Sequence, residues 1–300
     1  MQYRSNLLLL LAAAIWGLAF VAQRVGMEHV GPFTFNGVRF ALGGFSLIPL
    51  LLYSNRQLSE NKDTGRSFWN GAQAGVLAGT VLFIAASLQQ IGLIYTTAGK
   101  AAFITSLYIV LVPIAGIFLL NQRISVSTWS GCALALLGLY FLSVKEQFSI
   151  AYGDFLELAG ALFWTAHILL IDRFARRMDA LKLAFFQFIT CSFLSLATAL
   201  WFETITPGSL WQAGLPIFYG GVFSVGIAYT LQIIGQKNSA PSHAAILLSM
   251  ETVFAALGGF MLLDERLGAK ELLGCAFIFA GMLLSQLNGL RSLRQKTATT

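Results

Sequence analysis

The sequence predicts an all-α integral membrane protein of ten transmembrane helices, built as a five-plus-five inverted repeat. Three observations lead there. The chain is 57% hydrophobic and 11% charged, with a mean hydropathy of +0.73, whereas about a quarter of residues carry charge in a soluble domain. Apolar residues recur along the whole chain in runs near the ~20 that cross a bilayer as helix. The chain also aligns with itself at a shift of 143 residues.

The first predicted span is Leu7 to Val25. Its approach, a basic residue before a leucine run and Ala12-Ala13-Ala14, imitates a signal peptide, but no soluble domain follows, so it is read as the first helix. Phe33 to Tyr53, Trp69 to Ile94, Ala98 to Leu120 and Ser125 to Leu142 complete the first five. The second five are Phe155 to Ile171, Leu183 to Trp201, Leu215 to Gly235, Ser242 to Leu263 and Leu272 to Leu290. The longest polar insert, Ser54 to Ser67, is too small to be a domain, so any chemistry sits among the helices.

Basic residues orient the chain. With the N-terminus cytoplasmic, roughly thirteen of the nineteen face inward, among them Arg4, Arg56, Lys62, Arg66, Arg123, Arg173, Arg176, Arg177, Lys237, Arg291, Arg294 and Lys296. Arg24, Lys100, Lys145, Arg266 and Lys270 face outward, and Arg39 falls within a span. Both termini are therefore expected in the cytoplasm. The net charge of +6 is explained by these loops, which excludes a nucleic-acid partner. Trp69, Trp129, Trp201, Trp211, Tyr53 and Tyr95 lie near span ends, at headgroup level. Cys132, Cys191 and Cys275 fall within spans, where cysteine acts as a small packing residue. They carry no redox or zinc signal.

The repeat pairs Leu88 to Tyr140 with Leu231 to Leu283 without a gap, and roughly sixteen of the fifty-odd positions are identical. Gln89 meets Gln232, Gly92 meets Gly235, Ala101-Ala102 meets Ala244-Ala245, and Gly131-Cys132-Ala133 meets Gly274-Cys275-Ala276. Trp16 and Trp164 correspond at a slightly different shift, which implies a small insertion. Two units follow, residues 1–146 and 147–300. Each holds five spans, an odd number, so the second enters the membrane from the opposite side. Two nearly equivalent packings, each open to one face, then become accessible, which is the architecture of alternating access.

Several residues stand out against this background. Glu251 lies near the middle of the ninth span, where a charge costs roughly 2.5–3.5 kcal/mol. A proton-coupling group, a contact for a cationic substrate group and a fixed interhelical bond are the three readings. Its repeat partner is Tyr108, and both are expected to face a cavity. Arg39, one third along the second span, either binds a substrate carboxylate or phosphate or pins the helix end. Lys100 and His243 are repeat partners at the N-terminal ends of the fourth and ninth helices, hence gate candidates on opposite faces, or plain interfacial polar residues. His167 is a candidate proton relay or a histidine with one satisfied hydrogen bond. Trp16 and Trp164, mid-span and away from the belts, suit a cavity wall or helix packing. Gly71, Gly75 and Gly79 mark a close-packing face.

Trp16-Gly17, Arg39-Phe40-Ala41, Tyr95-Thr96-Thr97-Ala98 and Pro113 in the first half resemble the EamA family of the drug/metabolite transporter superfamily. Glu251, Leu263-Asp264-Glu265-Arg266-Leu267 and Gly274 to Gly281 carry the resemblance in the second half. Where the family often has Glu-Pro in the ninth helix, this chain has Glu251-Thr252. The resemblance covers the chain as two EamA units. It implies ten helices around a central cavity and passage of small metabolites such as amino acids, vitamins, nucleosides or drugs, more often outward, through the inner membrane.

The chain has no phosphate-binding Gly-x-x-x-x-Gly-Lys-[Ser/Thr] loop, no His-Glu-x-x-His, no Gly-x-Ser-x-Gly and no acidic metal cluster. It is expected to be a secondary transporter and not an enzyme, with no cofactor and no metal. Its partners are the lipid bilayer and a small-molecule substrate, with a homodimer left open. An integral membrane enzyme acting on lipid or an isoprenoid carrier and a passive channel are the alternatives; the first needs acidic clusters and the second a continuous polar stripe.

Overall fold

A computed structural model describes residues 2–58, 64–96, 98–121, 124–143, 152–262 and 268–297. Lys62, Thr97, Arg123, Lys145 and the Leu263 to Leu267 segment lie outside these residues, as do the side chains of Arg56, Arg66, Trp69, Lys100, Arg291, Arg294 and Lys296. Most of the described residues are helical, and none forms a strand. We number the helical rods α1 (Gln2–Gly26), α2 (Pro32–Ser54), α3 (Thr64–Tyr95), α4 (Ala98–Thr105 and Tyr108–Leu120) and α5 (Val126–Ser143). The second set is α6 (Tyr152–Ala175), α7 (Ala180–Phe202), α8 (Gly214–Gln236), α9 (Pro241–Leu248 and Glu251–Leu262) and α10 (Ala269–Thr297). Among the described residues eight helices are long and apolar enough to cross a membrane, and α5 adds a shorter apolar one.

Helix starts follow local chemistry. Pro32 occupies the first turn of α2, where its missing N–H costs nothing. The Phe33 and Thr34 amides there donate to the two carboxylate oxygens of Glu203, at 2.8 and 2.7 Å. Glu203 sits at the C-terminal end of α7, so one side chain caps one helix and ties it to another. Asp179 caps α7 by accepting from the Lys182 amide at 2.9 Å.

The repeat is visible as contact symmetry. In the α5–α10 crossing, a Cβ on Gly131 would meet the Gly281 carbonyl oxygen, and one on Gly138 would meet that of Gly274. The repeat pairs Gly131 with Gly274 and Gly138 with Gly281, so each residue touches the other's partner, the mark of a two-fold axis. The helices are antiparallel, because the earlier glycine of one meets the later glycine of the other. A two-fold axis between antiparallel membrane helices lies in the membrane plane. A shift of 148, the one that relates Trp16 to Trp164, also relates Phe40 of α2 to Phe188 of α7, and their rings lie 6.2 Å apart.

The fourth and ninth helices, expected to be continuous, are each broken in the middle. The interruptions fall at Ser106–Leu107 and Ser249–Met250, which are repeat partners. The same tight bonds replace the α-helical ones at both: Leu107 and Ile109 donate to Ile104 and Ser106, and Met250 and Thr252 donate to Leu247 and Ser249. No proline sits at either break. In α9 the Ser249 hydroxyl donates to the Ile246 carbonyl and that of Thr252 to Ser249, bonds that bend a helix in place of Glu-Pro.

A second departure lies in α8, where Tyr219–Tyr229 winds as a π-helix. Its glycines seat α2 closely: a Cβ on Gly221 would overlap Leu42, and one on Gly43 would overlap Val225. The α3 glycine stripe does the same for α7, with Gly75 against Phe186 and Gly79 against Gln187 and Thr190. Trp201, Trp211, Tyr53 and Tyr95 are exposed near helix ends. Cys132, Cys191 and Cys275 are free thiols, the first two buried.

Candidate functional site

The two breaks meet. Tyr108 and Glu251 open the second halves of α4 and α9, and the Tyr108 hydroxyl donates to Glu251 Oε1 at 2.9 Å. Residues related by a two-fold axis touch only where they meet that axis, so this bond lies on it. Glu251 is 6% exposed and stands in the first turn of a half-helix, where unpaired amides favour negative charge.

A cavity opens around this bond. Tyr108 and Glu251 line it together with Trp16 and Trp164. Three further repeat pairs contribute, Phe20 with Ile168, Gln89 with Gln232 and Thr105 with Leu248. A cavity whose wall is made of symmetry mates straddles the axis, where alternating-access proteins hold their substrate.

The asymmetric part of the wall carries the charge. Arg39, 3% exposed, lines the cavity with its guanidinium between the Phe35 and Phe40 rings, 5.4 and 5.1 Å from their centroids. No carboxylate pairs with it among the described residues, and its Nε has no hydrogen-bond partner there. Cation–π contacts hold the group in place without neutralising it. Gly220 of the π-helix leaves room for its methylenes. The repeat partner of Arg39 is Gln187, so the cation belongs to one half alone.

Ser224 and Tyr229 of the π-helix also line the cavity. The Trp16 indole donates to the Ser224 carbonyl at 3.0 Å, which fixes one aromatic wall. Tyr229 packs edge-on to Trp16 at 4.6 Å and stacks on Trp164 at 6.3 Å.

Five of the residues singled out in the sequence, Trp16, Arg39, Tyr108, Trp164 and Glu251, thus line one cavity. His167 does not. It is fully buried one layer back, with Nε2 3.0 Å from Gln187 Oε1 and its ring edge-on to Trp164 and Tyr229. His243 lies away from the cavity, Nε2 3.2 Å from Asn6 Oδ1. The Lys100 side chain lies outside the described residues. Tyr229, Ser224 and Gln23 carry no sequence signal beyond polarity in an apolar run. Gln89 and Gln232 carried one, since a polar residue kept at the same place in both repeats has a reason beyond packing.

The EamA-like transporter family model matches residues 4–144 and again 151–287. The chain is 32% identical over 287 residues to an uncharacterized transporter of Archaeoglobus fulgidus, covering 94% of this chain and 86% of that one. The uncharacterized transporter YoaV of Bacillus subtilis is 22% identical, over 90% of this chain and 92% of its own. A probable amino-acid metabolite efflux pump of Salmonella typhimurium is 28% identical over 55% of this chain and 52% of its own length. In fold, a solved crystal structure superposes with a TM-score of 0.79 at 22% identity, covering 97% of this chain and 99% of that one. Two family units, a helical membrane fold and a cavity on the axis between them agree: the chain is a membrane transporter and belongs to the EamA-like transporter family, within the drug/metabolite transporter superfamily.

Proposed function

We propose that the protein is a secondary transporter that moves a small zwitterionic metabolite of the amino-acid class outward across the inner membrane by alternating access. The single observation behind this reading is that an unneutralised Arg39 and a carboxyl group, Glu251, line one aromatic-walled cavity between the repeats. Arg39 takes the substrate carboxylate through the planar, bidentate geometry of a guanidinium. Glu251 takes the ammonium group, and Trp16, Trp164 and Tyr108 enclose the remainder. The name of the Salmonella relative supports both the substrate class and the direction.

Glu251 also supplies a coupling device. As a carboxylate it binds either the ammonium group or a proton, so loading of one expels the other, which is antiport by competition. Either event competes with the Tyr108 bond that joins the two broken helices on the axis. In this reading units 1–146 and 147–300 rock against each other, ten helices cross the membrane and both termini are cytoplasmic. His167 keeps Trp164 and Tyr229 in place. The repeat carries Asn6 onto Asp154 and His243 onto Lys100, and His243 with Asn6 closes one face.

Counterflow of labelled amino acids into proteoliposomes, run from pH 5 to 8, tests the reading. The wild type accumulates label, and its apparent affinity falls as pH falls, because a protonated Glu251 carries no charge for the ammonium group. Glu251→Gln binds weakly with no pH dependence. A Glu251→Gln protein that transports with the wild-type pH profile refutes the assignment, and a wild type that moves no amino acid refutes the substrate class.

A further inference from the structure

A second buried carboxyl lies outside the cavity and takes no part in the function proposed above. Glu157 of α6 is fully buried, with Oε2 accepting from the Thr105 hydroxyl at 2.8 Å. Thr105 in turn accepts from Gln89 Nε2 at 3.2 Å, and both Thr105 and Gln89 line the cavity. Glu157 Oε1 is buried with no hydrogen-bond partner among the described residues, lodged against Gly92, where a Cβ would strike it.

The repeat shows that packing alone does not call for this carboxyl. Shifting by 148 carries Leu9 onto Glu157, and shifting by 143 carries Thr105 onto Leu248 and Gly92 onto Gly235. The other half builds the same crossing with leucines: a Cβ on Gly235 would strike Leu9, as one on Gly92 strikes Glu157. Leu9 and Leu248 are both buried in one apolar cluster. One half therefore fills the position with hydrocarbon. The other half places a carboxyl there and puts a hydroxyl between it and the cavity, although burying an ionised carboxyl costs several kcal/mol.

We propose that Glu157 is a second proton-binding site of the transporter, loaded from the cavity through the Thr105 hydroxyl. The transfer is direct in this geometry. The Thr105 hydroxyl passes its proton to Glu157 Oε2 and takes one from a hydronium ion in the cavity, so that hydronium and carboxylate become water and carboxylic acid. Gln89 holds the Thr105 oxygen in line. The groups around Glu157 are Asp154, three residues earlier on α6, whose Oδ1 accepts from the Thr96 hydroxyl at 2.9 Å; Gly92 and, through Thr105, Gln89 on α3; and Thr105 on α4. Asp154 is the competing titratable group and needs its own control. The proposal rests on the transporter reading for its purpose, not for its test.

The test is a pH-difference infrared titration of the full-length protein in lipid nanodiscs without substrate, reading the carbonyl stretch of buried protonated carboxyls. The wild type shows a band that is missing in Glu157→Gln and kept in Asp154→Asn. Thr105→Val slows deuterium exchange of that band by about a hundredfold or more, the low end of what a positioned proton-transfer group contributes, and Thr105→Ser restores it. A band that survives Glu157→Gln, or exchange in Thr105→Val at the wild-type rate, overturns the proposal. If Glu157→Gln does not fold, the Thr105 pair decides. Because no solute moves, a negative result removes Glu157 and leaves counterflow untouched, while failed counterflow leaves this titration readable.

Discussion

Replacing Arg39 by methionine separates a substrate contact from a helix anchor, because the structure predicts opposite effects on binding and on stability. Methionine keeps an unbranched side chain in the slot beside Gly220 and removes the charge. Lost with it are two cation–π contacts worth about 0.5–2 kcal/mol each. Gained is relief from burying an ion with no carboxylate paired to it among the described residues, a penalty of several kcal/mol. The thermal midpoint of the empty protein is therefore expected to hold or rise. Substrate binding behaves differently: truncating one member of a buried charge pair costs about 2–5 kcal/mol, or roughly 30- to 4,000-fold in Kd. Trp16 and Trp164 stand in the cavity wall, so quenching of intrinsic tryptophan fluorescence reads Kd, and a thermal ramp reads stability on the same sample. The solute found by counterflow and its carboxamide analogue should bind equally to Arg39→Met, whereas the wild type prefers the carboxylate. Arg39→Lys should fall between, having a charge but no planar fork. A variant that melts earlier yet binds as the wild type does would show that Arg39 pins α2 and does not touch substrate.

Two further substitutions test the packing that surrounds the site. Glu203→Ala leaves the Phe33 and Thr34 amides without their acceptor. The expected loss is about 0.5–2 kcal/mol, that of a helix cap, seen as a lower thermal midpoint with substrate affinity kept; an unchanged midpoint would deny the capping role. Gly17→Ala puts a methyl group 2.5 Å from Phe254 Cβ and 2.7 Å from the Glu251 carbonyl oxygen. Overpacking of about 1–3 kcal/mol should push α1 from α9 and lower both stability and counterflow. Gly75→Ala, equally crowded against Phe186, should lower stability and leave Kd unchanged.

Glu251 and Arg39 were legible because a charge inside an apolar run stands out wherever it occurs. Tyr108 was legible only through the repeat, which set it opposite Glu251. Glu157 was not, since it falls near the predicted start of the sixth span, where an acid reads as interfacial; the clue was its alignment with Leu9 at a shift extended from Trp16 and Trp164. Nor could the sequence show Glu203 as the cap of α2, because its partners lie 170 and 169 residues away. The breaks at Ser106–Leu107 and Ser249–Met250 left no proline to announce them. Serine and threonine sit inside regular helices as often as they bend them, and only the neighbouring helices decide which.

Composition and period alone determined that this chain is a helical membrane protein made of two opposed copies of one unit. Burial of backbone in lipid leaves helices as the solution for such runs, and the glycine contacts between repeat-partner helices run antiparallel, as opposed copies require. Tertiary structure decided which polar residues share a space. The Tyr108–Glu251 bond and the Thr105–Glu157 pair each join residues from different helices. Helical periodicity specifies which way a side chain points from its own axis; which helix stands opposite is set by packing, here by glycine crossings around a two-fold axis.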